Sequence, residues 1–333
     1  ARGIRDESDR AYELTLLAPH LPVSLLPEAL EIARGIGDED YRAEALTGLA
    51  PYLPEVLPEA LEIARAIGNG YFRAWALTGL APYLPEVLPE ALEIARGIGD
   101  EKDRARALMR LAPHLPVSLL PEALEIARGI GDEYPRAWAL TELAPHLPVS
   151  LLPEALEIAR GIGYEYKRAR ALTELAPHLP VSLLPEALEV ARGIGDESDR
   201  AEALTGLAPH LPEVLPEALE IARGIGYEYP RALALTGLAP YLPEVLPEAL
   251  EIARGIGDEY LRADVLKALT ATLTPANVDL SFWQDVLQAL GTLTRLHFLE
   301  TIPNLAPLIL HFGGEVALRE VFQGIRDVSR WWK

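Results

Sequence analysis

The chain has 333 residues, half of them apolar, and a formal net charge of −20. That charge argues against a polyanionic partner, so neither nucleic acid nor an anionic membrane surface is expected. The absence of cysteine excludes a disulfide framework, a thiolate metal site and a cysteine nucleophile, and it fits a reducing, cytoplasmic setting; no apolar run reaches a membrane span and no signal peptide is visible.

The first five residues, Ala-Arg-Gly-Ile-Arg, nearly match the end of a stretch that recurs through the chain. They place the start of the chain inside a repeat and lead to the expectation of further sequence, and further domains, on the N-terminal side. The stretch itself is Pro-Glu-Ala-Leu-Glu-Ile-Ala-Arg-Gly-Ile-Gly, first complete from Pro27 to Gly37 and starting again at Pro58, Pro89, Pro121, Pro153, Pro185, Pro216 and Pro247. Only Ala66 and Val190 depart from it, and the spacing is 31 or 32 residues throughout. A fixed period of this length marks units that bury their apolar faces by stacking on their neighbours. The expected fold is therefore all-α, an α-α superhelix (α-solenoid) of eight helical pairs.

Each unit reads as two short helices. In residues 38–68, Asp38 is a candidate N-cap for a first helix, A, over about Glu39 to Ala50, with Ala43, Leu46 and Ala50 as its buried stripe. Pro51 and Pro54 end it. A second helix, B, is expected from about Val56 to Ile67, with Pro58 in its first turn and Gly68 as C-cap. Its face of Val56, Leu57, Ala60, Ile63, Ala64 and Ile67 is apolar, while Glu59, Glu62 and Arg65 face water with Glu62 and Arg65 paired. The 32-residue units carry Leu-Pro-Val-Ser-Leu-Leu-Pro between the helices, where Ser24 can cap helix B; the 31-residue units carry Leu-Pro-Glu-Val-Leu-Pro, where Glu55 takes that place. The repeat covers residues 1–274, with partial units at both ends. One more A helix is expected from Asp258 to Leu269. Residues 275–333 read as a helical C-terminal cap with patterns near 281–291, 292–301, 303–312 and 315–331, and they concentrate Trp283, Phe298, Phe312, Phe322, Trp331 and Trp332. At the other end, Leu14 and Leu17 are expected to form an apolar edge able to pair with a second copy of the chain.

Comparison of the eight units with one another separates fixed positions from varied ones. The fourth, seventh, eleventh and fifteenth positions vary and share one helical stripe, expected to lie opposite helix A's buried side. The exposed face of helix B scarcely changes. Variation confined to one face and rich in Trp, Tyr and Arg reads as a ligand surface on a fixed scaffold. Its most distinctive members are Tyr71, Phe72, Trp75, Arg106, Arg110, Tyr134, Trp138, Tyr166 and Arg170. The short, Ala-rich A helices should also curve the array toward that face.

Five of the seven histidines share the fifteenth position, but equivalent atoms of stacked helices lie about 8–10 Å apart, too far to share one ion. No metal or cofactor is expected. The arginine at position five is present in every unit and the glutamate at position two in all but that of Gly70, which suggests bridges between units. Nucleotide-binding, nucleophile-elbow and zinc-protease motifs are missing, and near-identical units offer no distinct acid and base, as an (α/α) toroidal glycosidase would need. No catalysis is expected.

The unit Ala-Leu-Thr-Gly-Leu-Ala-Pro-Tyr-Leu-Pro-Glu-Val-Leu-Pro-Glu-Ala-Leu-Glu-Ile-Ala-Arg of residues 45–65 resembles the recently amplified helical repeats of large bacterial signalling proteins. The tail from Leu305 to Gly314 and from Ile325 to Trp332 is similar to the ends of those chains. Such arrays often follow a NACHT or NB-ARC module in STAND-type ATPases, and their general shape resembles HEAT and TPR arrays. The resemblance implies a sensor that binds a ligand and relieves autoinhibition of an upstream ATPase. Upstream domains of a parent chain and a protein or peptide ligand are the partners it implies. The alternative is a scaffold, spacer or self-association module without a specific ligand.

Overall fold

The structure, a computed structural model, describes residues 3–331, with side chains as far as residue 326. Ala1, Arg2, Trp332, Lys333 and the side chain of Trp331 lie outside that description. The described residues form α-helices and short 3-10 turns without a strand, so the all-α expectation holds. The chain divides into two compact units, residues 1–180 and 181–333.

In the first unit the A helices are Glu7–Leu17, Glu39–Leu49, Gly70–Leu80, Glu101–Leu111, Glu133–Leu143 and Glu165–Leu175, and the B helices are Leu26–Arg34, Leu57–Ala66, Leu88–Gly97, Leu120–Arg128 and Leu152–Arg160. Each of the first five A helices packs on its own B helix, and successive A helices pack on each other. Asp38 caps its helix as expected, its carboxylate accepting from the N–H groups of Asp40 and Tyr41. Ala43, Leu46 and Ala50 are buried, and Ala45 and Leu49 join them. Helix A is thus enclosed by two neighbours and needs a wider apolar sector than one stripe.

Two local expectations fail. Ser24 and Glu55 do not cap helix B. Both sit inside a 3-10 turn, Val23–Leu25 or Pro54–Val56, which leads into the helix and is closed by main-chain bonds such as Leu25 N–H to Pro22 O at 2.8 Å. Gly37 and Gly68 are not left-handed C-caps either. Helix B stops at Arg34 or Ala66, and Gly314 is the one described residue with positive φ.

The fixed polar residues close the joint between units. In four repeats of this unit the arginine at position five reaches back to the isoleucine carbonyl that follows the preceding B helix, whereas Arg168 meets Glu165 of its own helix at 3.5 Å. Arg42 donates to Ile36 O at 2.9 Å, Arg73 to Ile67 O at 3.3 Å, Arg104 to Ile98 O at 2.9 Å and Arg136 to Ile130 O at 3.2 Å. The glutamate at position two reaches forward. Glu7 accepts from the N–H groups of Gly37 and Asp38 at 3.0 and 2.9 Å, Glu101 from Gly131 and Asp132 at 2.9 and 2.6 Å, and Glu133 from Gly163 and Tyr164 at 2.7 and 3.0 Å. These bonds to main-chain N–H groups hold the carboxyls of Glu7 and Glu101 below the ordinary value. All three glutamates belong to 32-residue units. In those units a Cβ on the second glycine would meet the carboxylate, at 3.3 Å for Gly37, 3.0 Å for Gly131 and 2.8 Å for Gly163. In 31-residue units that carry the glutamate the space beside the second glycine is open, as at Gly68, Gly226 and Gly257. The extra residue therefore carries the next helix start to where the glutamate can reach it.

The water-facing side of helix B is also tied across units. Arg34 pairs with Glu59 at 2.7 Å, Arg65 with Glu90 at 2.7 Å, Arg96 with Glu122 at 2.8 Å and Arg128 with Glu154 at 2.9 Å. The expected pair of Glu62 with Arg65 is replaced by the bond to Glu90. Within-helix pairs of that spacing do occur, as in Arg34 with Glu31 at 3.1 Å.

In the second unit the B helix Leu184–Arg192 is followed by the pairs Glu197–Leu207 with Leu215–Gly224 and Glu228–Leu238 with Leu246–Gly255, then by the helices Glu259–Thr272, Leu280–Leu290 and Arg295–Trp331. The patterns expected separately at 292–301 and 303–312 are one helix containing Pro303 and Pro307, bent only at Gly314 (φ 68°). Burial of Thr301, Leu305 and Leu308 holds it together where each proline omits an N–H. The cap reuses the joints of the repeat. Arg254 donates to Asp285 O at 2.5 Å, and Glu259 accepts from Thr294 N–H at 2.8 Å.

At the N-terminal end, Leu14 is buried and only Leu17 is exposed. The edge expected from the pair is half what the sequence suggested, because Leu14 packs inward between neighbours.

Gly48 should tolerate no side chain, since its Cβ would meet Thr15 Oγ1 at 2.6 Å and Cβ at 3.0 Å. Gly48→Ala is expected to lower stability by about 1–2 kcal/mol although alanine is the better helix former. Thr15→Ala should relieve the loss, and Gly68→Ala should stay within about 0.5 kcal/mol of the parent; urea melts decide. A second expectation concerns acid. Glu7 and Glu101 have lowered folded pKa values, so their stabilisation is present above the ordinary value of 4.5 and is lost as pH falls through the folded values. The urea midpoint should drop below pH 4.5, and more shallowly in Glu7→Gln/Glu101→Gln.

Candidate functional site

All nine residues singled out on the A helices lie in the first unit, and the structure gathers seven of them into two groups. In the first, Tyr71 meets Phe72 edge-on at 5.3 Å between centroids, Phe72 lies 6.3 Å from Trp75, and the Arg110 guanidinium stands over the Trp75 ring at 5.1 Å. Trp75 is at the seventh position of its unit and Arg110 at the eleventh of the next, so the contact runs diagonally over adjacent A helices. Glu44 extends the row on the other side. Its carboxyl is pushed up by burial, with Arg110 opposing the shift.

In the second group Tyr134 packs edge-on against Trp138 at 4.4 Å, and Tyr166 joins through a residue absent from the sequence-derived set. That residue is Lys167. Its ammonium lies 3.9 Å from the Tyr134 centroid, 5.6 Å from that of Trp138 and 4.8 Å from that of Tyr166, and the residue is 5 % exposed. Three rings around a desolvated ammonium form a strong cation–π arrangement. A signal was present in the sequence: Lys167 is one of only four lysines and occupies a varied position. What the sequence did not show is that position four faces a neighbouring A helix, the preceding one in the case of Lys167. Pro135 and Lys167 are both buried there, so the expected outward stripe is exposed in only part of its length.

The remaining two stand apart. Arg106 pairs with Asp103 of its own helix at 3.0 Å, and Arg170 is exposed. Position eleven divides in the same way. Arg110 and Glu142 are exposed, whereas a Cβ on Gly48 or Gly79 would meet a neighbouring threonine at 2.6 or 2.7 Å. Those glycines vary with helix packing rather than with a ligand. Beside Tyr71, at the unit where Gly70 replaces the joint glutamate, a cleft of about 770 Å³ opens between Arg73, Glu90 and Asp103.

The third position reaches across the joint in the second unit as well. Tyr229 donates to Asp264 Oδ2 at 2.8 Å, and burial together with that bond pushes its hydroxyl up to about 12. In the histidine row His114 is exposed, His146 and His178 are half-buried, and among the described residues no three His, Asp or Glu side chains could hold one metal ion.

No family model matches the chain, and no curated protein matches it. Among solved structures, the Ton1535 protein of Thermococcus onnurineus NA1 aligns over 89 % of this chain and 99 % of its own at 17 % identity, with a TM-score of 0.36. A structure from work on the computational design of self-assembling cyclic homo-oligomers aligns over 90 % and 98 % at 18 % identity, with a TM-score of 0.14. Superpositions this loose bear on neither site nor function.

The Trp75–Arg110 contact should be measurable. A double-mutant cycle with Trp75→Ala and Arg110→Ala is expected to give a coupling of about 0.5–1 kcal/mol in thermal or urea unfolding, since the cation is exposed.

Proposed function

We propose that this chain is a non-catalytic protein- or peptide-binding array whose contact surface is the A-helix face of residues 71–170. The observation that carries the reading is the pair of cation–aromatic groups, Trp75 with Arg110 and Tyr134, Trp138 and Tyr166 with Lys167. Aromatic and arginine side chains already held in place lose little freedom on binding and are the residue types that anchor interfaces. Solenoid repeats commonly use one helix layer as an extended binding face. The resemblance of the repeat to bacterial STAND-type ATPases supports a cytoplasmic sensor role within a larger chain.

One observation favours the spacer alternative. The constancy of helix B has its own cause in the Arg–Glu bonds from each unit to the next, so the contrast between a fixed and a varied face is no longer independent support for a ligand.

The test begins with a displayed peptide library selected on the immobilised chain. Selected peptides are then titrated against wild type and against Trp75→Ala/Trp138→Ala, with melting temperatures measured for both. Truncating a buried anchor costs about 2 kcal/mol, roughly 30-fold in affinity. Equal affinities would remove the A-helix face as the site. Failure to select any peptide would leave the spacer as the better reading.

A further inference from the structure

The second unit contains an apolar trough of about 690 Å³, remote in sequence from the A-helix face discussed above. Three helical walls form it: the helix Leu280–Leu290, the helix from Arg295 to the bend, and the segment after Gly314. Trp283 and Phe312 stack at 6.0 Å and form part of the lining. Leu287, Phe298 and Ile302 continue it. The last segment contributes Ala317, Val321, Gly324 and Ile325, which share one helical face at spacings of four, seven and eight. The trough depends on the bend. Only a residue free to take the positive φ of Gly314 lets the chain turn there, and Gly324 leaves width that a side chain would fill, since nothing lies within 4 Å of its Cβ direction.

One charged residue lines this trough among the described residues, Arg295, exposed at the start of its helix. The nearby carboxylates are engaged elsewhere: Asp285 with Arg254, Glu259 with Thr294 and His297, and Glu300 with Lys267. Arg295 itself has no carboxylate partner among the described residues. An apolar trough with a single unpaired guanidinium is complementary to a molecule with a long apolar body and one anionic end.

We propose that the trough binds a single-chain amphiphilic anion, in the simplest case a fatty carboxylate, with its alkyl chain along the walls and its head group on Arg295. A peptide fits less well. The walls are helical, so apart from the carbonyls of Leu299 and Pro303, which lose their donors to Pro303 and Pro307, their main-chain groups are already bonded, and most of a peptide's own N–H and C=O groups would be buried without partners. An alkyl chain brings no such groups. The volume is that of a small-molecule site, whereas a stable protein partner covers about 800 Å² per side. The guanidinium fork matches a carboxylate in two parallel bonds.

Calorimetric titration of the full chain with laurate, below its micelle concentration, tests the proposal, with 1-dodecanol as the neutral probe of the same length. Wild type is expected to bind laurate saturably at one site. Gly324→Phe should abolish binding of both probes by filling the trough. Arg295→Gln should weaken laurate tenfold or more and leave dodecanol unchanged. Trp75→Ala/Trp138→Ala should bind laurate as wild type does, which separates this site from the peptide-binding face. Helical circular dichroism and melting temperature establish that each variant folds, and Val321→Trp replaces Gly324→Phe if the latter does not. Absence of saturable laurate binding to wild type, binding that survives in the folded filled variant, or an equal effect of Arg295→Gln on laurate and dodecanol would each overturn the assignment.

Discussion

Every unit depends on one joint, where a B helix ends and the next A helix begins. The isoleucine there is buried, as in Ile36, Ile67 and Ile130, and its carbonyl is one of the helix-end acceptors that have no partner within the helix. The arginine at position five of the following repeat supplies that partner at each such joint but that of Arg168. A helix pair of 31 or 32 residues cannot enclose its own apolar face, so it persists only while its neighbours stay in place. The arginine fixes where the next helix starts, and with it which alanines and leucines come to lie between the layers. The glutamate at position two adds a second hold in the longer units.

The two helix layers carry different constraints. On the B side, within each compact unit, an arginine at a B-helix end meets a glutamate near the start of the next B helix, and the pairs must match. These exposed bonds are individually weak. Their effect is on register: a change at either partner affects two units at once, and uniform residues avoid a mismatch. On the A side no such ladder exists. Adjacent A helices meet through small residues, and where Thr15 faces Gly48 or Thr47 faces Gly79 even a methyl group is excluded. Elsewhere along the same layer there is room for Trp75, Trp138 and Lys167. Diversity on this face is therefore of two kinds, one set by helix approach and one by side chains that reach over a neighbour.

The C-terminal residues close the second unit with the same contacts in altered form. Asp285 accepts from the last repeat arginine, and the Thr294 N–H occupies the glutamate that elsewhere holds the next helix start. Among the aromatic residues concentrated here, the buried Trp283 stacks on Phe312, and both line the trough with Phe298.

The sequence by itself determined the repeat length, the helical pairing, the cap at Asp38, and the fact that position-five arginines and position-two glutamates join units. Those features follow from local chemistry and from a pattern that recurs eight times. It could not determine that Gly35 or Ile67, rather than Gly37 or Gly68, ends helix B, because the arginine of the following repeat donates to the carbonyl beyond the helix, Arg42 to Ile36 O and Arg73 to Ile67 O, and a left-handed glycine is not needed there. Nor could it reveal that Pro303 and Pro307 lie within one helix, since tertiary burial outweighs their missing bonds. The enclosure of Lys167 by Tyr134, Trp138 and Tyr166 was likewise decided only by tertiary structure. Those residues belong to two different units, and which ring a side chain meets is set by the lateral offset of neighbouring helices, which no period in the sequence encodes.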